Sequence, residues 1–205
     1  MLAIVFAYNF NSFGRISLAD PKGKTMKLDA DRSVLLIIDL QERLLPAIEA
    51  GDQVLTYAAW LIGAARQLRV PVLLTEQYPQ GLGGTAPVID ALIQPAERLL
   101  KTHFSAVAEG NLLSHPAAQR QQWVVCGTES HVCVQQTVLD LLTTGREVVV
   151  VEEAVGSRQA RDKALALERM RQHGAQIVSR EMVAFEWLRQ ANTPEFRAVL
   201  KDFIR

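Results

Sequence analysis

Continuous apolar runs alternate along the chain with segments in which apolar residues recur every three or four positions. Residues 33–39, SVLLIID, form a β-branched and apolar run that ends in a carboxylate, as expected of a strand buried on both faces of a parallel sheet. Similar runs predict further strands at residues 72–75, 98–101, 123–126, 147–151 and 176–178, and Gly127 is expected to end the fourth of the six.

Helical spacing fills the intervals between these strands. Helices are predicted at residues 52–68, 132–142, 162–173, 181–189 and 194–204, with a short one beginning at Pro87. Residues 79–85, PQGLGGT, are predicted to form a glycine-rich loop. The alternation predicts an α/β protein, an open three-layer α/β/α sandwich with a mostly parallel, six-stranded, Rossmann-like sheet.

The first 25 residues differ in composition from the rest of the chain. They begin with MLAIVFAYNF, which is too short to span a bilayer and lacks the basic residues and the small-residue cleavage site of an export signal. We interpret residues 1–25 as an N-terminal extension, with Met26 as an alternative start. Residues 26–205 are assigned to one domain, because no linker or repeat divides them.

The charge balance and the cysteine content narrow the class of partner. Lys plus Arg and Asp plus Glu each number 22, so no net field attracts nucleic acid or a membrane surface, and a small molecule is the expected partner. The 2 cysteines form neither a disulfide framework nor a CxxC motif. This usage favours a reducing, cytoplasmic setting.

Reactive side chains follow three of the predicted strands. Asp39 closes the first strand, Lys101 closes the third, and Cys133 follows the fourth after a short loop. Ligands of open α/β sheets bind beyond the carboxyl ends of the strands, so these residues are expected to converge. A helix start and a nearby lysine would favour the Cys133 thiolate, whereas Cys126 lies in an apolar strand and is interpreted as a buried hydrophobic residue.

Each candidate also has a purely structural interpretation. Asp39 could cap the following helix, Lys101 could be a solvated residue at a strand end, and Cys133 could pack in the core. Taken together, the three supply a base, a cation and a nucleophile, which favours a catalytic role. The non-catalytic alternative is a module for oligomerisation or partner binding. A thiol sensor built on Cys133 is the least favoured, because Cys126 is poorly placed to resolve it.

Other polar features carry weaker signals. The glycine-rich segment lacks the Lys-Ser/Thr of a phosphate-binding loop, so a rim loop is expected there. The 4 histidines show no ligand spacing, and we predict neither a metal nor a cofactor. His103 and His131 each lie within two residues of a candidate and are expected to line the pocket.

Three segments resemble the signature segments of the isochorismatase-like cysteine hydrolase family, in the same order. They are LLIIDLQ around Asp39, KTHFSA from Lys101, and GTESHVCV, which ends just after Cys133. The resemblance extends from about residue 31 to the C-terminus, so residues 26–205 are expected to form an isochorismatase-like hydrolase domain. The segment TEQYPQGLGGT resembles a subgroup, the isochorismatase domain-containing proteins.

The resemblance implies a catalytic triad of Asp39 as general base, Lys101 as stabilising cation and Cys133 as nucleophile. It also implies a cis peptide between Thr128 and Glu129, and an oxyanion hole formed by the backbone N–H groups of Glu129 and Cys133. The cysteine points to cleavage of a small amide, carbamoyl or related C–N substrate through a covalent thioester. The TEQYPQGLGGT segment has no histidine, which disfavours a zinc nicotinamidase.

Two further expectations concern specificity and assembly. The substrate pocket is predicted to include Gln41, Gln77, Tyr78, Leu82, His103, Phe104 and His131. A homo-oligomer, most simply a dimer, is predicted from the apolar residues of the last two helices: Met182, Phe185, Trp187, Leu188, Phe196, Val199, Leu200, Phe203 and Ile204. The structural alternative is that these residues cover the segment MLAIVFAYNF within one chain.

Overall fold

The computed structural model describes residues 27–204, and the predicted extension at residues 1–25 lies outside this range. Within it, six parallel strands form one sheet in the order β3-β2-β1-β4-β5-β6. The strands are β1 (Ser33–Ile38), β2 (Val72–Gln77), β3 (Arg98–Lys101), β4 (Gln122–Thr128), β5 (Glu147–Gly156) and β6 (Gln176–Val178). The strand order reverses between β1 and β4, which opens a crevice at their carboxyl ends.

Helices cover both faces of the sheet. They are α1 (Gly51–Gln67), α2 (Pro79–Leu82), α3 (Pro87–Asp90), α4 (Gln135–Thr143), α5 (Ala160–Gln172), α6 (Arg180–Leu188) and α7 (Pro194–Val199). Buried residues of α1, α3 and α6 form one core with one face of β1, while those of α4 and α5 form a second core with the other face. The predicted three-layer α/β/α sandwich is therefore confirmed, and every strand pair in the described sheet is parallel.

The central strands approach each other closely beside the crevice. All six residues of β1 and all seven of β4 are buried. Gly127 has a φ of +123°, and a Cβ at this position would overlap the backbone carbonyl of Ile38. Gly127 therefore lets β4 continue to Thr128 rather than ending it, contrary to the prediction that the strand stops at Cys126.

Two other segments differ from the predicted elements. The predicted loop at residues 79–85 contains helix α2, because Pro79 occupies its first turn and the Gln41 side chain holds the carbonyl of Gly83. The strand predicted at residues 147–151 extends to Gly156 and follows β4 to the crevice. This extension brings the polar segment that follows the strand close to the site. The run of valines alone did not predict it.

The C-terminal helices pack mainly against their own chain. Trp187 and Val199 are buried, and the Phe203 ring meets Trp60 of α1 edge-on with 5.8 Å between ring centroids. Trp187, Val199 and Phe203 therefore pack within their own chain, and whether the C-terminal helices also lie at or near an interface stays a prediction. Met182 and Phe185 remain exposed.

Candidate active site

Asp39 sits at the centre of the crevice, immediately after β1. Its φ of 51° turns the backbone sharply, and its carboxylate is fully buried. The Thr75 hydroxyl donates to Oδ1 at 2.7 Å, and the Lys101 ammonium donates to Oδ2 at 2.7 Å. Burial raises the pKa of Asp39, against the opposing effect of the Lys101 charge. A carboxylate in this environment is a stronger base than an exposed one.

Lys101 ends β3 with its ammonium enclosed by oxygen atoms. Besides Asp39, Nζ donates to the side-chain oxygen of Gln77 at 2.6 Å and to the carbonyls of His103 and Phe104 at 3.3 and 3.2 Å. The residue is only 2% exposed, so it is not the solvated strand-end lysine of the structural interpretation. The cation is thus held in place by partners from three segments.

Cys133 lies in a π-helical turn, Ser130–Val134, that leads into α4. Its thiol is within hydrogen-bonding reach of Asp39 and Lys101, and the residue is 3% exposed. Burial raises the pKa of Cys133 to about 12, the Asp39 carboxylate adds to the rise, and Lys101 opposes it. Lys101 thus favours the thiolate, as expected, but desolvation and Asp39 outweigh it, so the pKa of the thiol is raised.

The geometry also tests the purely structural interpretations of Asp39 and the two cysteines. Asp39 caps no helix, since α1 begins only at Gly51. Cys126 is completely buried, as its apolar context predicted, and both cysteines are free thiols. The candidate base, cation and nucleophile thus meet in one buried cluster.

The loop between β4 and α4 shapes the other side of the cluster. The peptide bond between Thr128 and Glu129 is cis, and the Thr128 hydroxyl donates to the carbonyl of Asp39 at 2.6 Å. The carbonyl of Glu129 accepts from the N–H groups of Val132 and Val134, but in the described chain it accepts no bond from the N–H of Cys133. The hydrogen-bond pattern of the π-helical turn therefore leaves the N–H of Cys133 without a bond to this carbonyl.

The seven predicted pocket residues occupy three kinds of environment. Gln41 is fully buried, and its amide nitrogen donates to the carbonyls of Gln77 and Gly83. Gln77 is also buried, with its amide divided between Lys101 and Thr102. Leu82 is half-buried, whereas the other rim residues include the exposed side chains of Tyr78, His103 and Phe104.

His131, the seventh, faces the end of β5 rather than open solvent. Its Nδ1 lies 3.0 Å from the Ser157 hydroxyl, and its Nε2 lies 3.4 Å from the Arg158 guanidinium. Arg158 also approaches the Glu129 carboxylate at 2.7 Å. This group ties the cysteine loop to the segment that follows β5.

Sequence reasoning missed two residues that support the site, Thr75 and Glu109. Thr75 lies in β2 beside the carboxyl end of β1, so the rule that identified Asp39 could also have identified it. The Glu109 carboxylate accepts from the N–H groups of Thr102 and His103, both at 2.9 Å. Its exposed loop carried no pattern that could have revealed this role.

Neither a metal cluster nor a membrane span is found in the described range. No three His, Cys, Asp or Glu side chains among residues 27–204 are grouped so that they could hold a metal ion. No helix in the same range is long and apolar enough to cross a bilayer.

The crevice and the buried cluster at its base are features of a hydrolase-type α/β fold. The chain belongs to the isochorismatase domain family, because the model of that family matches residues 33–182. Family membership confirms the resemblance and indicates a hydrolase.

Two relatives that are named for the isochorismatase domain match most of the chain. The chain is 40% identical over 171 residues to isochorismatase domain-containing protein 2A of Mus musculus, covering 83% of this chain and 82% of that one. It is 38% identical over 176 residues to isochorismatase domain-containing protein 2 of Danio rerio, covering 85% and 88%.

Solved structures show the same fold. One described as the MAR1 ribonuclease of Caenorhabditis elegans matches with a TM-score of 0.80 and 34% identity, covering 87% of this chain and 93% of that one. The YcaC product of Escherichia coli, described as an octameric hydrolase of unknown specificity, matches with a TM-score of 0.81 and 23% identity, covering 88% and 92%. The second likeness concerns the fold alone.

Proposed function

We propose that this protein is a cysteine hydrolase that cleaves a small amide, carbamoyl or related C–N substrate through a thioester on Cys133. The observation that carries the proposal is the buried Asp39–Lys101 ion pair, 2.7 Å between Oδ2 and Nζ, in hydrogen-bonding reach of the thiol. A buried charged pair beside a nucleophile is costly to maintain for packing alone. Base, cation and nucleophile are the groups that covalent acyl transfer needs.

The first half-reaction transfers the acyl group to sulfur. Asp39 takes the thiol proton as Sγ attacks the substrate carbonyl carbon, which forms a C–S bond and a tetrahedral oxyanion. When the oxyanion collapses, the C–N bond breaks and the protonated Asp39 gives its proton to the leaving nitrogen. The Lys101 charge stabilises Asp39 and the sulfur while they are ionised.

The second half-reaction returns the free enzyme. Asp39 takes a proton from a water molecule that attacks the thioester carbonyl, the C–S bond breaks, and the thiolate recovers the proton from Asp39. The acid product then leaves. The high pKa of Cys133, about 12, means that this base is needed at neutral pH.

The backbone N–H groups of Glu129 and Cys133 are proposed to bind the oxyanion. In the described residues, the N–H of Cys133 makes no hydrogen bond to the Glu129 carbonyl, and the Glu129 N–H donates to no backbone carbonyl. Two such donors aimed at one oxygen form the usual oxyanion hole of acyl transfer. The rim residues Tyr78, Leu82 and Phe104 would then contact the rest of the substrate.

A panel of small amides, carbamoyl compounds and ureides tests the proposal. Wild-type protein is expected to release amine or ammonia from at least one of them, and Cys133→Ala is expected to abolish the release. Mass spectrometry of a quenched reaction should find the acyl group on the Cys133 peptide. Cys126→Ala is the matched control and should keep both activity and adduct. Activity that survives in Cys133→Ala contradicts the thioester mechanism, and inactivity of wild type on the whole panel supports the non-catalytic module.

A second candidate, RNA hydrolysis, is favoured by one observation, the 34% identity to the chain described as a ribonuclease. The balanced charges of this protein, 22 of each sign, do not favour it, because phosphate backbones bind to excess Lys and Arg. A single-stranded RNA included in the same panel decides between the two. Cleavage that is lost in Cys133→Ala would replace the amide proposal.

A further inference from the structure

Gln77 divides its side-chain amide between two partners at the base of the crevice. Its oxygen accepts from the Lys101 ammonium at 2.6 Å, and its nitrogen donates to the carbonyl of Thr102 at 2.7 Å. An ammonium only donates and a carbonyl only accepts, so the amide has one satisfactory orientation. Gln77 is 8% exposed, and its amide is committed to the protein instead of being free for a ligand.

A second glutamine fixes the backbone of the first. The Gln77 N–H donates to the side-chain oxygen of Gln41 at 2.7 Å, and the Gln41 nitrogen donates back to the Gln77 carbonyl at 3.0 Å. The same nitrogen also reaches the carbonyl of Gly83 at 2.7 Å. The end of β2 is therefore clamped on both sides of the residue that holds the lysine.

The ammonium of Lys101 has three protons and two short partners, Asp39 and Gln77. The carbonyls of His103 and Phe104 lie 0.5 Å or more farther away, at 3.3 and 3.2 Å, than the 2.7 Å to Asp39. Bonds to an ionised donor are the strong ones, and those at short distance dominate. Without Gln77, one short partner is left, and the ammonium is free to shift toward that carboxylate.

We infer that Gln77 is a positioning residue, which acts through Lys101 to hold the cation where it can stabilise the ionised Cys133. The inference rests on the proposed function for its catalytic consequence, but the geometry at the lysine does not depend on the substrate. Lys101 opposes the rise in the pKa of Cys133, so a displaced cation leaves less thiolate at any given pH.

The test measures the rate at which iodoacetamide alkylates Cys133 in folded protein between pH 7 and pH 9.5, followed by mass spectrometry of the Cys133 peptide. Gln77→Met has a similar volume but accepts no comparable hydrogen bond. We expect its alkylation to be roughly tenfold slower at each pH, because a displaced cation that raises the pKa of Cys133 by about one unit lowers the thiolate fraction about tenfold. On the substrate found in the panel, kcat should fall with KM little changed.

Gln122→Met is the matched control. Gln122 is a buried glutamine at the opposite end of the sheet, where its side chain bonds Asp29 and Glu147. Its substitution should lower the melting temperature but leave the alkylation profile of Cys133 unchanged. Gln77→Leu, which also lacks an acceptor, replaces Gln77→Met if the latter does not fold.

A double-mutant cycle with Lys101→Met separates positioning from packing. If Gln77 acts through the lysine, Gln77→Met should change the alkylation rate less than about twofold in the Lys101→Met background. Equal slowing in both backgrounds, an effect matched by Gln122→Met, or wild-type alkylation in Gln77→Met would each overturn the inference. Because alkylation needs no substrate, these outcomes remain distinct from a failure of the proposed amide hydrolysis.

Discussion

The Asp39 carboxylate has opposite effects on the proposed hydrolysis and on the reactivity of the Cys133 thiol toward alkylating reagents. Asp39 raises the pKa of the thiol, yet the proposed reaction uses the same carboxylate as its base. Replacing Asp39 by Asn keeps the shape and removes the charge. The two functions of the carboxylate should therefore separate in this variant.

We predict that Asp39→Asn loses turnover by a factor of about 10² to 10⁴, the usual contribution of a general base, while iodoacetamide alkylates Cys133 faster than in wild type. Removing the carboxylate lowers the thiol pKa, which increases the thiolate fraction at pH 8. Cys126 is the internal reference, because it is completely buried and should be labelled more slowly than Cys133 in both proteins. Slower labelling of Cys133 in Asp39→Asn would contradict this assignment.

At this scale the sequence predicted which candidate residues converge but not their environment. Asp39, Lys101 and Cys133 were predicted from their places after strands, and parallel strand ends do bring them together. Burial was not predictable, because it depends on how closely the loops around Thr102 and Thr128 close over the cluster. The protonated resting thiol and the second partner of Lys101, Gln77, both follow from that closure.

The turn after β3 is held by Glu109, and its stability should depend on pH. The N–H of His103, the His103 ring and the N–H of Thr102 all bond this carboxylate and lower its pKa to about 2 from the usual 4.5. A lowered pKa contributes stability above about pH 4.5, and the contribution is lost as pH falls through about 2. The turn presents the carbonyls of His103 and Phe104 to Lys101.

Glu109→Gln should therefore melt at a lower temperature than wild type at pH 6, and the difference should shrink as pH is lowered from 4.5 toward 2. Thermal unfolding monitored by circular dichroism over this range measures it. Glu168→Gln is the control, since Glu168 is an exposed residue of α5 whose carboxylate bonds its helix neighbours Arg171 and Gln172. A Glu109→Gln deficit that stays constant with pH would show that the charge is not responsible.

Within the sheet, the contact between β1 and β4 at Gly127 should be the least tolerant of a side chain. Gly127→Ala combines an unfavourable φ of +123° with overlap of the Ile38 backbone, and should destabilise the protein by about 3 kcal/mol or more. Gly174→Ala has a similar φ of +103° with open space around the Cβ, and should cost only about 1–2 kcal/mol. Urea denaturation of the two variants measures the difference, and equal losses would exclude the steric cause.

The order and type of most elements could be predicted, because their apolar spacing is regular and the sheet is buried on both faces. The elements at the crevice were less predictable. The sequence predicts that Gly127 ends a strand, whereas in the structure it permits close strand packing. Helix α2 was not predicted, because the three glycines of its segment indicated a loop. Such positions depend on contacts with other segments, as Gln41 with Gly83 shows, and local spacing does not report them.

At the scale of the whole molecule, the exposed apolar surface is unevenly distributed. Five of the eight large hydrophobic residues that are most exposed in the described range fall between the end of β2 and the turn after β3: Tyr78, Val88, Leu92, Leu100 and Phe104. This region, which we call the β3 edge, includes the outer strand of the sheet. Outer strands and exposed apolar patches are both common sites of association.

We predict that the protein forms a homo-oligomer through the β3 edge rather than through the C-terminal helices, where Trp187 and Val199 are buried and Phe203 packs on Trp60 of α1. Light scattering at micromolar concentration should give a mass at least twice the 22.7 kDa of one chain. Leu100→Asp combined with Phe104→Asp should reduce that mass, because both side chains are more than half exposed, at 51% and 54%, and a buried charge at an interface is costly. Leu165→Asp is the control, since Leu165 is 57% exposed on α5, away from the β3 edge, and should leave the mass unchanged. A wild-type mass of one chain would refute the prediction, and dissociation caused instead by Phe185→Asp would place the interface at α6.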